Sequence, residues 1–229
     1  MAGILSIGVT GMQAAQLGMM TTQHNITNAR TAGYNRQQIV QGTNNPMATG
    51  SGFVGQGVHV STIQRMYSSV LNTQVVHSQA SVSQLDTYYN EISQIDNLLA
   101  DTNSGVSSAI QAFFDGIQEV ASDPSSIDAR QALVSSAESL TARFGSLSKS
   151  LDDLSAGVNS QIESTVAEIN SYSSQIAELN KRIIVAQSAT NQPANDLLDQ
   201  RDQLVSELNK LIGVSTVEQS DGTYNVTFG

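Results

Sequence analysis

The stretch IESTVAEINSYSSQIAELNKRI, residues 162–183, decides the fold class of this chain. Its four isoleucines, Ile162, Ile169, Ile176 and Ile183, stand seven residues apart, and further apolar side chains fall three or four residues from each. This spacing places the apolar side chains along one side of an α-helix. The stretch therefore predicts a long helix that packs against other helices.

The same periodicity continues on both sides of this stretch. Asp123-Pro124 predicts the start of the long helix, because aspartate caps helices and proline fits the first helical position. Whether the helix continues through Gly157 stays open at this point. A return helix is expected to begin with Asn195 as its N-cap. We expect the core of the helical bundle to contain Leu85, Ile92, Phe113, Leu140, Phe144, Leu151, Ile162, Ile169, Ile176, Ile183, Leu204 and Leu208.

The residues after the return helix change to a strand pattern. Tyr224, Val226 and Phe228 alternate with polar residues after the turn pair Asp221-Gly222, a combination typical of a β-hairpin. We therefore expect a mainly α fold: an amino-terminal amphipathic helix, an elongated antiparallel helical bundle or coiled coil, and the start of a truncated β-rich domain. The expected segments are 1–67, 68–212 and 213–229.

The first 28 residues carry a second heptad pattern that favours an assembly helix. Interior glycines, among them Gly8 and Gly11, each cost about 1 kcal/mol relative to alanine in a helix. We therefore expect residues 1–67 to stay mobile in the monomer and to become ordered on assembly. A glycine-rich loop over 42–57 and a short strand at 58–60 should follow. The expected assembly contacts are Leu5, Val9, Met12, Met19 and Ile26.

Charge is distributed unevenly along the chain. The net charge is −10, yet residues 1–85 contain no acidic residue and three arginines. The negative total disfavours nucleic acid and anionic membranes as partners. A long stretch so poor in charge favours contact with other protein surfaces. No apolar run approaches the roughly 20 residues of a membrane span, and the amino terminus lacks the charged and apolar regions of a cleaved signal peptide.

The sequence offers little support for catalysis. The chain has no cysteine, which excludes thiolate chemistry. The glycines of 50–55 match a dinucleotide-binding pattern but lack the strand before and the helix after it. Asp196, Asp199 and Asp202 share one helix side, where a solvated face is the simpler interpretation than a metal site. We expect no enzyme activity, no cofactor and no bound metal.

One segment carries a more specific signal. Residues 24–37, HNITNARTAGYNRQ, end the first helix with side chains that bond to local backbone and a glycine that favours a left-handed conformation. The segment resembles the N-I-A-N-x-x-T-x-G-Y signature of the bacterial flagellar rod, hook and hook-associated axial proteins. We interpret Asn25, Asn28, Thr31, Gly33 and Tyr34 as a motif that sets a bend in the chain.

The resemblance extends over essentially the whole chain. It includes residues 52–58, the segment Arg65-Met66-Tyr67, and residues 195–208, which are most similar to the hook-associated members. It implies an extracellular structural protein at the junction between hook and filament, exported unfolded without a cleaved signal peptide. The implied partners are other copies of the chain, hook protein, a second junction protein and an export chaperone.

Two alternatives remain open at the level of the sequence. A hook or rod subunit would share the bend motif but is not expected to carry the long helical region. A secretion or adhesion module built on a coiled coil, outside the flagellum, is expected to have residues 1–85 folded in the monomer.

Overall fold

The computed structural model describes residues 4–100 and 106–228. Residues 101–105, whose polar sequence DTNSG predicts the end of a helix, lie outside the described residues. The fold is mainly α, as expected. Its helices are α1 (Ile4–Thr27), α2 (Ser69–Ala100), α3 (Val106–Ser122), α4 (Ile127–Thr190) and α5 (Asn195–Leu211), and its strands are β1 (Gln37–Thr43), β2 (Met47–Thr49), β3 (Gly52–Val54), β4 (Val58–Arg65), β5 (Val214–Glu218) and β6 (Tyr224–Phe228).

The chain divides into two compact units. The first combines residues 1–81 with 168–229, and the second contains residues 82–167. The expected boundaries after residues 67 and 212 therefore fall inside the first unit. The reason is long-range packing: the segments before and after the helical region both lie against α5.

Helix α4 is continuous over 64 residues and passes through Gly157 without a break. Its start differs from the prediction. Ser126 caps the helix, because its Oγ accepts a hydrogen bond from the Ala129 amide at 3.1 Å. Asp123 instead accepts from the amide and the hydroxyl of Ser125, at 3.1 and 2.7 Å. The Asp-Pro pair thus forms a turn before the helix.

Helix α5 runs antiparallel to the end of α4 in the first unit, and the two helices enclose an apolar core. Ile176 of α4 packs with Val205 and Leu208 of α5 and with Val214 of β5, while Ile183 is fully buried. Ile169 and Leu204 are partly buried against the same core. Three of the four isoleucines spaced by seven residues, Ile169, Ile176 and Ile183, are therefore buried or partly buried, as their spacing predicted.

Asn195 does not act as the N-cap of α5. The cap position is Ala194, which makes no side-chain cap hydrogen bond. Asn195 is the first helical residue, and its side-chain Nδ2 donates to the carbonyl of Ile63 at 2.7 Å. The side chain of Asn195 therefore binds strand β4, a contact that its expected role as a helix cap does not include.

The second unit has a less complete core than predicted. Gly116 of α3 lies against Leu133 and Ser136 of α4, so that the two helices approach closely. Phe113 and Leu140 are half-buried. A core forms only where the apolar stripes of neighbouring helices meet. Five of the predicted core residues face solvent instead, with exposed fractions of 41–65%: Leu85, Ile92, Phe144, Leu151 and Ile162.

Helix α1 packs on an antiparallel hairpin formed by β1 and β4. The pairing extends from Gln37 with Arg65 to Thr43 with Val58 and contains one irregularity after Val40. The strand predicted at 58–60 is thus longer, and its partner β1 was missed because its glutamines weaken the apolar alternation. Within the predicted loop, β2 and β3 form a second small hairpin.

Candidate functional site

Asn25 joins the end of α1 to the start of β1. Its amide nitrogen donates to the carbonyl of Gln37 at 2.8 Å, and its Oδ1 accepts from the Gln37 amide at 2.8 Å. The same oxygen accepts from the hydroxyl of Tyr34 at 2.6 Å. One side chain thereby satisfies both backbone groups of a strand residue and holds the chain between them in a closed turn.

Asn28 and Thr31 build the turn itself. Asn28 donates from its side-chain Nδ2 to the carbonyl of His24 at 3.0 Å, which closes the last turn of α1. Thr31 donates its hydroxyl to Asn28 Oδ1 at 3.2 Å and its backbone amide to the Asn28 carbonyl at 2.9 Å. These local bonds are those expected of asparagine and threonine at a helix end.

Gly33 is required both by its conformation and by its neighbour. Its φ angle is +75°, in the left-handed region that favours glycine. A Cβ at this position would lie 2.8 Å from the Cβ and 2.7 Å from the Oε1 of Gln203 on α5. The bend motif therefore lies directly on α5, a contact that the motif alone does not predict.

Arg65, at the end of β4, forms a buried ion cluster with α5. Its Nη1 lies 2.8 Å from Asp199 Oδ1 and 2.6 Å from Asp202 Oδ2, and all three side chains are at most 10% exposed. Asn35 donates to Asp199 from its backbone amide and its side chain, both at 2.8 Å. The arginine also lies 4.1 Å above the ring of Tyr67. We call Arg65, Asp199 and Asp202 the α5 ion cluster.

A second buried arginine ties α5 to the hairpin of β5 and β6. Arg201 is completely buried, and its Nη1 donates to the carbonyl of Gly222 at 2.7 Å. Its guanidinium also stacks on the ring of Tyr224, 3.4 Å from the ring centre. Two adjacent residues of α5 thus bind segments from either side of it in the sequence. Asp202 binds β4, which precedes α5, and Arg201 binds the β5–β6 hairpin, which follows it.

The interpretation of the three aspartates as a solvated face is wrong for two of them. Asp199 and Asp202 are 4% and 8% exposed. Asp196 alone is exposed, where it accepts from Gln37 Nε2 at 2.6 Å and lies 3.2 Å from His24 Nε2. The spacing of the aspartates was a true signal of a shared face, but only the fold brings an arginine to that face.

Burial and charge shift the pKa values in this region. Burial raises the pKa of Asp202, and the charge of Arg65 opposes that shift. Burial lowers the pKa of Arg65, but the two aspartates more than compensate and raise it overall. The pKa of Tyr67 and that of Tyr224 are raised by burial and, secondly, by the charge of Asp202. Both tyrosines are therefore uncharged at neutral pH.

The expectation that residues 1–67 become ordered only on assembly did not include a packing partner within the same chain, and the structure shows one. The bend motif and the β1–β4 hairpin lie on α5 within the same chain. Helix α1 is held as well, since Thr10 contacts Gly57 and accepts from the Val58 amide at 3.3 Å. The lack of acidic residues in this segment is matched by α5, which supplies Asp199 and Asp202 to Arg65.

Helix α1 has one covered and one open side. Ala14 and Thr21, which face the hairpin, are 4% and 8% exposed. The opposite side carries the heptad pattern noted in the sequence. Its side chains are exposed by 85, 43, 67, 67 and 71%, in the order Leu5, Val9, Met12, Met19 and Ile26.

Nothing in the described part of the chain favours metal chemistry or a membrane span. Across residues 4–100 and 106–228, no group of three or more acidic or histidine side chains could hold a metal ion. In the same residues, no helix combines the length and apolarity needed to cross a bilayer. The α5 ion cluster already has its cation, the guanidinium of Arg65.

Comparison with known proteins assigns the chain to a family. A family profile described as the flagellar hook-associated protein FlgK helical domain matches residues 92–229. The chain belongs to the FlgK family. The family is one of flagellar structural proteins and not of enzymes, which agrees with the resemblance seen at the bend motif and at residues 195–208.

Individual relatives match nearly the whole chain. Flagellar hook-associated protein 1 of Salmonella typhimurium is 42% identical over 229 residues, covering 99% of this chain and 41% of the relative. The protein of the same name from Escherichia coli is 38% identical and that from Bacillus subtilis 27%, over 99% and 92% of this chain. The chain thus spans about two fifths of the length of these FlgK relatives.

A solved FlgK structure supports the fold. The flagellar hook junction protein FlgK from Burkholderia pseudomallei is similar with a TM-score of 0.62 and 40% sequence identity. The match covers 68% of this chain and 27% of that protein.

Proposed function

We propose that this chain is part of a structural subunit at the junction between the flagellar hook and filament. The subunit adds to the flagellum through the outward face of α1, defined as Leu5, Val9, Met12, Met19 and Ile26. The observation that carries this proposal is the exposure of that face on a helix whose other side is fixed against the β1–β4 hairpin. An exposed apolar stripe on a held helix is typical of a surface that another helix covers.

The contact between the bend motif and α5 gives the outward face a defined direction. Asn25 connects α1 to β1, and Arg65 connects the paired strand β4 to α5. A helix anchored through hydrogen bonds and ion pairs has less freedom of orientation than one joined by a flexible linker. The orientation of α1 is therefore set before the subunit reaches its neighbours.

The names of the relatives support this place in the flagellum. The similar proteins are called flagellar hook-associated protein 1 and flagellar hook junction protein. The partners that we propose are other copies of the subunit, hook protein and a second junction protein. We also propose export through the flagellar secretion channel, with a chaperone and without a cleaved signal peptide.

A substitution on the outward face tests the proposal. Leu5→Gln with Ile26→Gln should abolish filament attachment, because two amides would enter an apolar contact without partners. The variant is introduced into the complete protein in motile cells. Swimming on soft agar and attached filaments counted by electron microscopy are the measurements, and intact attachment would refute the proposal.

The matched control exchanges two exposed apolar residues elsewhere. Ile127→Gln and Val185→Gln remove side chains that are 80% and 69% exposed on α4. Their loss should leave filament attachment near the wild-type level. Thermal unfolding of both purified variants, followed by circular dichroism, shows whether the fold is retained and so separates loss of contact from loss of structure.

A further inference from the structure

Methionine is the most easily oxidised residue type in these 229 residues. The chain contains six methionines and neither cysteine nor tryptophan. Within this chain, a two-electron oxidant such as a peroxide therefore meets thioether sulfur without competition from a thiol. The reaction depends on access, and all the methionines in the described residues are exposed, by 43–67%.

Two methionines occupy a special position among these. Met12 and Met19 stand seven residues apart on α1, and each is 67% exposed, the highest value among the methionines of the described residues. They form the middle of the outward face, between Leu5 and Ile26. Met20, Met47 and Met66 are exposed as well, by 58, 43 and 47%, but lie outside this face.

We propose that Met12 and Met19 are an oxidation site that controls addition of the subunit. A lone pair of the thioether sulfur attacks one oxygen of a peroxide. The sulfur–oxygen bond forms, the oxygen–oxygen bond breaks, and the second oxygen leaves as water with both protons. Sulfur loses two electrons and the peroxide gains them, which converts each methionine to its sulfoxide.

The consequence follows from the polarity of the product. A sulfoxide oxygen is a strong hydrogen-bond acceptor, and an apolar contact offers it no donor. Covering two such oxygens with a neighbouring helix is unfavourable, whereas leaving them in water is not. Oxidation therefore blocks assembly and leaves the fold of the monomer intact. This inference rests on the proposed function of the outward face.

The test compares each protein with itself before and after treatment. The complete protein is exposed to hydrogen peroxide, the peroxide is removed, and binding to isolated hooks is measured by co-sedimentation. Mass spectrometry of peptides gives the oxidised fraction at each methionine. We expect binding to fall at least about tenfold, because two buried acceptors are left without donors. Binding should return after treatment with methionine sulfoxide reductase and a dithiol.

Two variants locate the effect. Met12→Leu with Met19→Leu should make hook binding insensitive to peroxide, judged as the ratio of treated to untreated binding of that same variant. Met20→Leu with Met47→Leu and Met66→Leu should remain as sensitive as the wild type. Sensitivity that follows the second set overturns the proposal, as does full binding by protein oxidised at Met12 and Met19.

The two proposals fail in different ways. If untreated Leu5→Gln/Ile26→Gln protein binds hooks normally, the proposed assembly face is wrong. If that variant loses binding while oxidised wild-type protein keeps it, the face stands and the oxidation site is wrong. An unchanged thermal unfolding curve after oxidation is also expected, and a lowered one would mean that oxidation acts by unfolding α1.

Discussion

Helix α5 contacts its neighbours through two unlike faces. One face places Val205 and Leu208 in an apolar core with Ile176 of α4. The other binds the amino-terminal segment through the α5 ion cluster and the contact of Gln203 with Gly33. Apolar burial is non-directional and supplies stability, whereas hydrogen bonds and ion pairs require one geometry. The apolar face of α5 therefore supplies stability, and the polar face sets the orientation of the amino-terminal segment.

The largest effect is expected from removing the cation of the polar face. Arg65→Ala leaves Asp199 and Asp202 buried without their guanidinium, and breaking a buried pair in this way costs about 3–5 kcal/mol. Urea unfolding followed by circular dichroism measures the loss. A change below about 1 kcal/mol would mean that water replaces the arginine and that the cluster is not truly desolvated.

A double variant sharpens this result. Arg65→Met with Asp202→Leu removes both charges of one ion pair, while Asp199 keeps its two hydrogen bonds from Asn35. We expect it to be more stable than Arg65→Ala, because apolar replacement of a buried pair is often close to neutral. The double variant should nevertheless show faster amide hydrogen exchange in residues 34–40, because the ion pair no longer holds the amino-terminal segment on α5.

The apolar face should respond next. Leu208→Ala removes a side chain that is 2% exposed and should cost about 2–4 kcal/mol through lost burial and a cavity. The same urea titration measures it, with Leu71→Ala on the exposed side of α2 as a control expected within about 0.5 kcal/mol of wild type. Equal effects at both positions would show that the core around Ile176 collapses to fill the space.

Glycine substitutions compare the bend with the helix before it. Gly33→Ala should destabilise the protein by about 1–2 kcal/mol, because alanine resists the left-handed conformation and its Cβ would contact Gln203. Gly11→Ala, in a helical position with no atom near the added Cβ, should instead stabilise the protein by about 0.5–1 kcal/mol. Thermal unfolding of both variants gives the signs, and a shared sign would contradict the assignment of Gly33 to the bend.

The smallest effect is a pH dependence at Asp202. Because burial raises the pKa of Asp202, the folded chain binds this proton at higher pH than the unfolded chain. The cost of the charged form is present above the folded pKa and disappears as the pH falls through it. Relative to Asp202→Asn, the wild type should therefore gain stability from neutral pH to about pH 4. A constant difference across this range would contradict the shift.

Much of the helical architecture could be predicted from periodicity. The heptads at Ile169, Ile176 and Ile183 predicted a packed helix, and the positions of α1 and of the β5–β6 hairpin were close to those observed. Helix starts were less accurate. Asp123 and Asn195 have the chemistry of caps, but each uses its side chain for another partner, Ser125 in one case and Ile63 in the other.

The site was predicted only in part. Asn25, Asn28 and Gly33 were identified as a bend because their hydrogen bonds and backbone angle are local properties. Arg65 and Asp199 were not paired, since they lie 134 residues apart and neither has a local pattern that differs from a surface charge. The apolar stripe of α1 was identified from its heptads. That the opposite face of α1 is covered could not be predicted, because the β1–β4 hairpin that covers it was not predicted.

By itself, the sequence determined the features that depend on residues near one another: the helical periods, the bend motif, the absence of thiols and the heptad stripe of α1. Tertiary structure alone decided which face of each helix is covered and which charges leave water. Asp196, Asp199 and Asp202 share one spacing, yet only the last two are buried. The reason is that burial of a charge depends on a partner brought from a distance, here Arg65, and periodicity carries no record of that partner.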